Sequence, residues 1–186
     1  MTSSASVGGD ERLRLFLGFR LPDSAAGEVA AWQRAELDRD RVRVVPPENL
    51  HVTIAFLGSR PASETDSIAD ALRGAVASVA EPVLTPARFN ETRSVGMLVL
   101  EDEEGRATRI AEDAHRRLAE LGVYRPEKRP WLPHITVIRF RERPRLSPSV
   151  PGLGPVTMSD AAVYMSRLRP TGAQYEVVES VPLGGG

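Results

Sequence analysis

The chain has no cysteine, three histidines (His51, His115 and His134), one lysine (Lys128) and only 5% aromatic residues. Each shortage removes a class of chemistry. Without cysteine there are no disulfides, no thiolate nucleophile and no Cys-type zinc site, and the composition suits a reducing compartment. Three histidines with no HExxH or HxH spacing make a poor metal site, because threonine is not a usual zinc ligand, so no metal is expected. Long hydrophobic runs are also missing. The apolar run of residues 13–21 is interrupted by Arg14 and Arg20 and is far too short to span a bilayer, and the Ser/Gly-rich start lacks the pattern of a signal peptide. The chain is therefore expected in the cytoplasm, as a monomer with no membrane partner. Its net charge of −1 provides no global attraction for nucleic acid or anionic lipid, so any affinity for phosphate must be local.

What is present is a repeated strand. The stretch Asn49-Leu-His-Val-Thr-Ile-Ala-Phe-Leu-Gly58 returns 83 residues later, in altered form, as Pro133-His-Ile-Thr-Val-Ile-Arg-Phe140. Each copy is an apolar run carrying a His and a Thr two places apart. Strand side chains alternate, so in each copy the imidazole and the hydroxyl share one face while the neighbouring aliphatics take the other. A strand serving only a core would be apolar on both faces, and a buried His-Thr pair is costly unless something hydrogen-bonds to it. One such histidine is ordinary. Two of three histidines each followed by a Thr two places on should arise by chance in roughly one chain in a hundred or fewer. His115 is expected to be a surface residue with no role.

With 186 residues and 41% hydrophobic content, the chain can bury a core as one unit of two joined lobes. Residues 1–10 are expected to be a disordered tail, residues 11–183 the folded bilobal domain and residues 184–186 a second tail. Residues 12–20 alternate as a strand, and Pro22 with Asp23 and Ser24 opens a helix to about Leu37 with Val29, Trp32 and Leu37 on its apolar stripe. A short strand at 41–45 leads into the first motif, and the chain is expected to turn after Gly58. A second helix carries Ile68, Leu72, Val76 and Val79, followed by strands at 82–89 and 95–100. A third helix with Ile110, Ala114, Leu118 and Leu121 ends at Gly122. The second motif strand, a Pro/Gly-rich loop at 144–155 and two strands at about 156–167 and 173–181 complete the chain.

This order is that of a duplicated α+β unit. If the halves pack with pseudo-twofold symmetry, both motif strands meet and His51, Thr53, His134 and Thr136 line one cleft. One neutral imidazole can then take a proton while the other, protonated, gives one, and an ordinary histidine pKa of about 6.5 lets both states coexist near neutrality. The threonine hydroxyls can bond the oxygens of a tetrahedral anion between them. Two acid-base groups and two donors suit displacement at a phosphodiester.

The paired His-x-Thr-x motifs resemble those of the two-histidine phosphoesterase superfamily. Residues 49–58 and 133–139, together with Tyr164-Met-Ser-Arg-Leu and Gly172-Ala-Gln-Tyr-Glu176, resemble more closely the bacterial RNA 2′,3′-cyclic phosphodiesterases, also called 2′-5′ RNA ligases. The resemblance spans about residues 13–183. It implies a bilobal fold of two antiparallel sheets lining a central cleft with helices outside, and no cofactor. It also implies opening of a 2′,3′-cyclic phosphate at an RNA end to a 2′-phosphate, possible in reverse as 2′-5′ joining. His51 would then give a proton to the leaving oxygen and His134 would activate water. Phe56 and Arg139, each five places after a motif His, would contact the base and the phosphate. Counting by twos puts both on the opposite face, so they reach the cleft only if each strand twists or bulges after its Thr. Two rival expectations stand beside this one: a related enzyme acting on a small cyclic phosphodiester, such as a cyclic nucleotide-sugar phosphate, and a non-catalytic binder of RNA ends.

Overall fold

The computed structural model describes residues 11–184; the two expected tails lie outside the described residues, apart from Gly184. Strand β1 (Arg12–Arg20) alternates charge and apolar residues at its start, is buried from Leu15 to Phe19 and ends on the exposed Arg20. Pro22, whose fixed φ suits a helix entry, precedes α1 (Asp23–Glu36), which buries Val29, Trp32 and Gln33. The short β2 (Val42–Val44) and a 3₁₀ turn lead into β3 (His51–Pro61), and a second such turn opens α2 (Thr65–Val76). The chain does not turn after Gly58. Gly58 takes a φ of +69°, a value open to glycine, and the strand continues to Pro61. The hairpin β4 (Val83–Glu91) and β5 (Val95–Glu101) precedes α3 (Arg106–Glu120), and β6 (His134–Phe140) carries the second motif. The last expected strand pair is three strands: β7 (Val156–Thr157), β8 (Asp160–Arg169) and β9 (Gly172–Pro182). The break at Met158 and Ser159 arises because β7 pairs with β4 in one half of the molecule while β8 pairs with β1 in the other.

The strands are antiparallel in the order β7-β4-β5-β6-β3-β1-β8-β9, with β2 also on β6. The two expected sheets are recognisable as β9-β8-β1-β3 and β7-β4-β5-β6-β2. They join through one residue pair, Val52 opposite Ile135, where β3 meets β6. So loose a seam lets the whole curl into a half-barrel with the motif strands at its centre.

The two faces of this sheet differ. On one, Leu15, Leu17, Phe19, Val52, Ile135 and Val163 pack with Val29, Ile68, Leu72, Ile110 and Leu118 of the helices into one core. Burying each such side chain contributes about 1.5–3 kcal/mol. The other face bears a small separate cluster, Phe16, Ala162 and Tyr164, with Tyr175 against it. Among the described residues, no helix is long and apolar enough to cross a membrane.

Candidate active site

Antiparallel pairing of β3 with β6 about Val52 and Ile135 fixes the rest of the arrangement. Stepping one residue either way sets His51 beside Thr136 and Thr53 beside His134, all four on the face away from the helices. Each of the four is half-buried, whereas Val52, Ile54, Ile135 and Val137 are buried on the other side. The four sequence-predicted polar residues are thus brought together, related by a local twofold through the Val52–Ile135 pair. Both imidazoles are held alike. The Nδ1–H of His51 donates to the Asn49 carbonyl at 2.8 Å, and that of His134 donates to the Leu132 carbonyl at 2.8 Å. These bonds fix the tautomer and leave each Nε2 as the nitrogen that faces the cleft. The Thr53 hydroxyl lies 2.9 Å from the His51 Nε2.

Each strand also bulges at the third residue after its histidine. On β3, Leu17 lies opposite Ala55 and Gly18 opposite Thr53, so Ile54 is the extra residue. On β6, Gly96 lies opposite Ile138 and Met97 opposite Thr136, so Val137 is the extra residue. In both strands two consecutive residues are then buried, Ile54 with Ala55 and Val137 with Ile138, and the alternation resumes one step out of phase. Phe56 and Arg139 are thereby turned to the motif face, and both are exposed. The Arg14 guanidinium sits 4.7 Å from the centre of the Phe56 ring.

Carbonyls at and beside these bulges accept hydrogen bonds from side chains behind the sheet. His115 of α3, half-buried, donates from Nε2 to the Ile54 carbonyl at 2.7 Å, and the Trp131 indole N–H donates to the Thr53 carbonyl at 3.0 Å. Gln33 of α1, fully buried, donates from Nε2 to the Val137 carbonyl at 2.7 Å and to the Val45 carbonyl at 3.0 Å. Each half's bulge is therefore held by one polar side chain from a helix. This corrects the reading of His115 as a surface residue without a role, since the third histidine is a peg for the first motif strand. Gln33 keeps its NH₂ on two carbonyls at the expense of its own buried Oε1, which has no partner.

The surroundings of the two catalytic candidates differ. His51 has the Phe16 ring at 4.8 Å, Tyr175 edge-on at 5.3 Å and Tyr164 at 5.8 Å between centroids. Gly18 makes this packing possible, because a Cβ there would stand 3.2 Å from the imidazole Cδ2 and 3.1 Å from the Val52 carbonyl. Burial pushes the His51 pKa down to about 4; the bond to the Asn49 carbonyl opposes the shift, and the charges of His134 and Arg139 add to it. The same burial, with Asp160 nearby, raises the Tyr164 phenol to about 12. Among the described residues, no aromatic ring packs on His134.

The family model described as the 2′-5′ RNA ligase superfamily matches residues 21–158, which include both motif strands. The chain belongs to this superfamily. It is 31% identical over 185 residues to an RNA 2′,3′-cyclic phosphodiesterase of Thermus thermophilus, covering 93% of this chain and 91% of that one. A solved structure of the Thermus thermophilus protein TT0787 superposes with a TM-score of 0.80 at 28% identity, over 93% of this chain and 99% of that chain. Escherichia coli LigT complexed with 3′-AMP superposes with a TM-score of 0.78 at 22% identity, again over 93% and 99%, a likeness of fold.

Other residues around His51 and the bulges were given no place in the site from the sequence. Phe16, Gly18 and the Tyr164–Tyr175 wall come to His51 only through the pairing of β1 with β3 and β8 and of β8 with β9. Gln33 could have been noticed as the polar member of the Val29, Gln33, Leu37 series, four residues apart on a helix face that is otherwise apolar. Among the described residues, no three His, Asp or Glu side chains converge as a metal site would require.

Proposed function

We propose that this protein opens 2′,3′-cyclic phosphates at RNA ends to 2′-phosphomonoesters, without a metal, by acid-base catalysis shared between His51 and His134. The observation that carries this reading is the Val52–Ile135 register, which gives two imidazoles and two hydroxyls a common face, with both Nε2 atoms turned to it. The name of the 31% identical relative supports the substrate.

In the reaction, the His134 Nε2 takes a proton from water as the water oxygen forms a bond to phosphorus. The P–O3′ bond breaks, and the proton on the His51 Nε2 passes to the leaving O3′. Thr53 and Thr136 donate hydrogen bonds to the non-bridging oxygens, and Arg139 faces the same anion with its fork of donors. Phe56 offers a ring on which a base can stack. With a pKa of about 4, His51 is neutral at pH 7, so its acid role depends on the substrate: a phosphate anion entering beside the ring favours the imidazolium and raises that value. In the cell, this reading places a monomeric enzyme in the cytoplasm, with joining of 2′-5′ ends as the reverse of the same step.

Incubation with an oligoribonucleotide ending in a 2′,3′-cyclic phosphate tests the proposal. The expected product is the 2′-phosphate, formed equally well in EDTA. A 3′-phosphate product, or turnover that needs an added divalent ion, would refute it.

A further inference from the structure

On the His51 side of the site lies a cavity of about 490 Å³ between β2, the end of β6 and the turn joining β8 to β9. Three arginines line it, Arg43, Arg139 and Arg169, with Glu48 as the only carboxylate among its lining residues. Among the described residues, none of these three guanidinium groups has a carboxylate partner, whereas Arg143 and Arg167 are paired with Glu91 and Glu176. Arg43 and Arg139 moreover stand directly opposite each other in the β2–β6 ladder. Like charges in that relation destabilise a sheet, and an anion between them reverses the sign of the effect.

Two of the cavity's lining residues, Asn49 and Tyr175, also contact His51. The charge of Arg139 is felt by His51, and Tyr175, which lines the cavity, sits edge-on to the His51 ring at 5.3 Å. Asn49 ties the two places together: its carbonyl accepts the His51 Nδ1–H, while its side-chain amide donates to the Ala173 carbonyl of β9 at 2.8 Å. At Gly172, where φ is +131°, a Cβ would collide with the Arg43 guanidinium, so the bare backbone of the turn is what lets Arg43 lie in the cavity.

Resting on the reading under Proposed function, we propose that this cavity is a subsite for the phosphodiester backbone of single-stranded RNA upstream of the reacting end. Arg43 and Arg169 are the residues that grip the next phosphate, and Tyr175 is the ring between the two phosphate positions. The substrate is then an RNA chain of at least two nucleotides rather than a lone cyclic nucleotide.

The test compares the binding of cytidine 2′-phosphate with that of a tricytidylate ending in a 2′-phosphate, product-type ligands that do not react further. It uses the full chain and its Arg43→Gln, Arg169→Gln and Arg43→Lys variants. The trinucleotide is expected to bind at least about tenfold more tightly, with most of that preference lost in the two Gln variants and part of it kept in Arg43→Lys. Each lost phosphate contact is expected to reduce the slope of log affinity against log salt by about 0.7. Equal affinity for the two ligands, or variants that weaken both alike, would overturn the subsite. Turnover of a cyclic-phosphate RNA end, followed in parallel, separates the two claims. A protein that prefers the trinucleotide but turns over no cyclic end upholds the subsite and refutes the proposed reaction; turnover with equal affinities does the reverse.

Discussion

The two motif strands are alike in backbone and unlike in surroundings. Both hold the imidazole by an Nδ1–H bond to the carbonyl two residues back, both bulge at the third residue after the histidine, and both have the carbonyl of the bulged residue bonded by a helix side chain. Around His51, however, β1, β8 and β9 bring up Phe16, Tyr164 and Tyr175, while among the described residues no ring reaches His134. A reaction needing one acid and one base cannot run on two groups in the same state. Keeping the duplicated geometry while changing the packing around one copy leaves the two imidazoles the same reach, and burial lowers the proton affinity of His51.

The strongest test of that comparison removes each half's imidazole. His51→Ala and His134→Ala are each expected to lower kcat by on the order of 10²-fold or more, the usual size for a general acid or base. Because both act on one proton relay, the double variant should be little worse than the worse single one. Steady-state rates on an RNA with a 2′,3′-cyclic phosphate end decide this. If the losses multiply, the two histidines work independently.

The asymmetry can be checked on His51 without turnover. Its folded pKa of about 4 lies below the ordinary value near 6.5, so the unfolded chain binds the extra proton between those limits. Stability from this group is therefore full above about pH 6.5 and is lost as the pH falls towards 4, by at most about 3 kcal/mol. Denaturant titrations across this range should show the loss in the native protein and not in His51→Gln. In an NMR titration, phosphate in the cleft should raise the His51 pKa by about a unit or more. No movement would exchange the roles, making His51 the base and His134 the acid.

Thr53→Ala and Thr136→Ala remove matching groups and sharpen the comparison further. Each should cost about 1.5–3 kcal/mol in kcat/KM, the size of one hydrogen bond to a charged group. Thr53 also contacts the His51 Nε2. Its loss should therefore shift the His51 titration, whereas that of Thr136 should not.

Much of this was legible in the sequence because the period of a strand is two: His51 and Thr53, like His134 and Thr136, had to share a face. The same rule misplaced Phe56 and Arg139, because counting by twos has no term for an extra residue. Only the ladders of neighbouring strands reveal that Ile54 and Val137 are skipped. The aromatic wall of His51 was hidden for a related reason. Phe16 and Tyr164 are 148 residues apart in sequence and meet through strand pairing, to which local pattern is blind. The single-pair seam between the two half-sheets is equally non-local. His115 looked superfluous because it lies beside the apolar stripe of α3 in a run with Arg116 and Arg117. Only its reach to a carbonyl of β3 shows what it does.

The smallest expected effects concern the two pegs, and they separate scaffold from chemistry. His115→Ala leaves the Ile54 carbonyl without its donor, while Gln33→Leu leaves the Val137 carbonyl the backbone N–H of Val45 at 2.9 Å. The Gln33 change also removes the orphaned Oε1, which offsets part of the lost bonding. Each variant should therefore lose only about 1–2 kcal/mol of stability in a denaturant titration, with Gln33→Leu the milder. Their kinetic signatures should nevertheless differ by half. Loosening the β6 bulge frees Arg139 to turn away from the phosphate, so Gln33→Leu should raise KM with kcat nearly kept. Loosening the β3 bulge acts on Phe56, so His115→Ala should blunt discrimination among terminal bases. If both variants lose stability with KM and base preference unchanged, the bulges hold Phe56 and Arg139 without help from the helices, and the pegs serve the core alone.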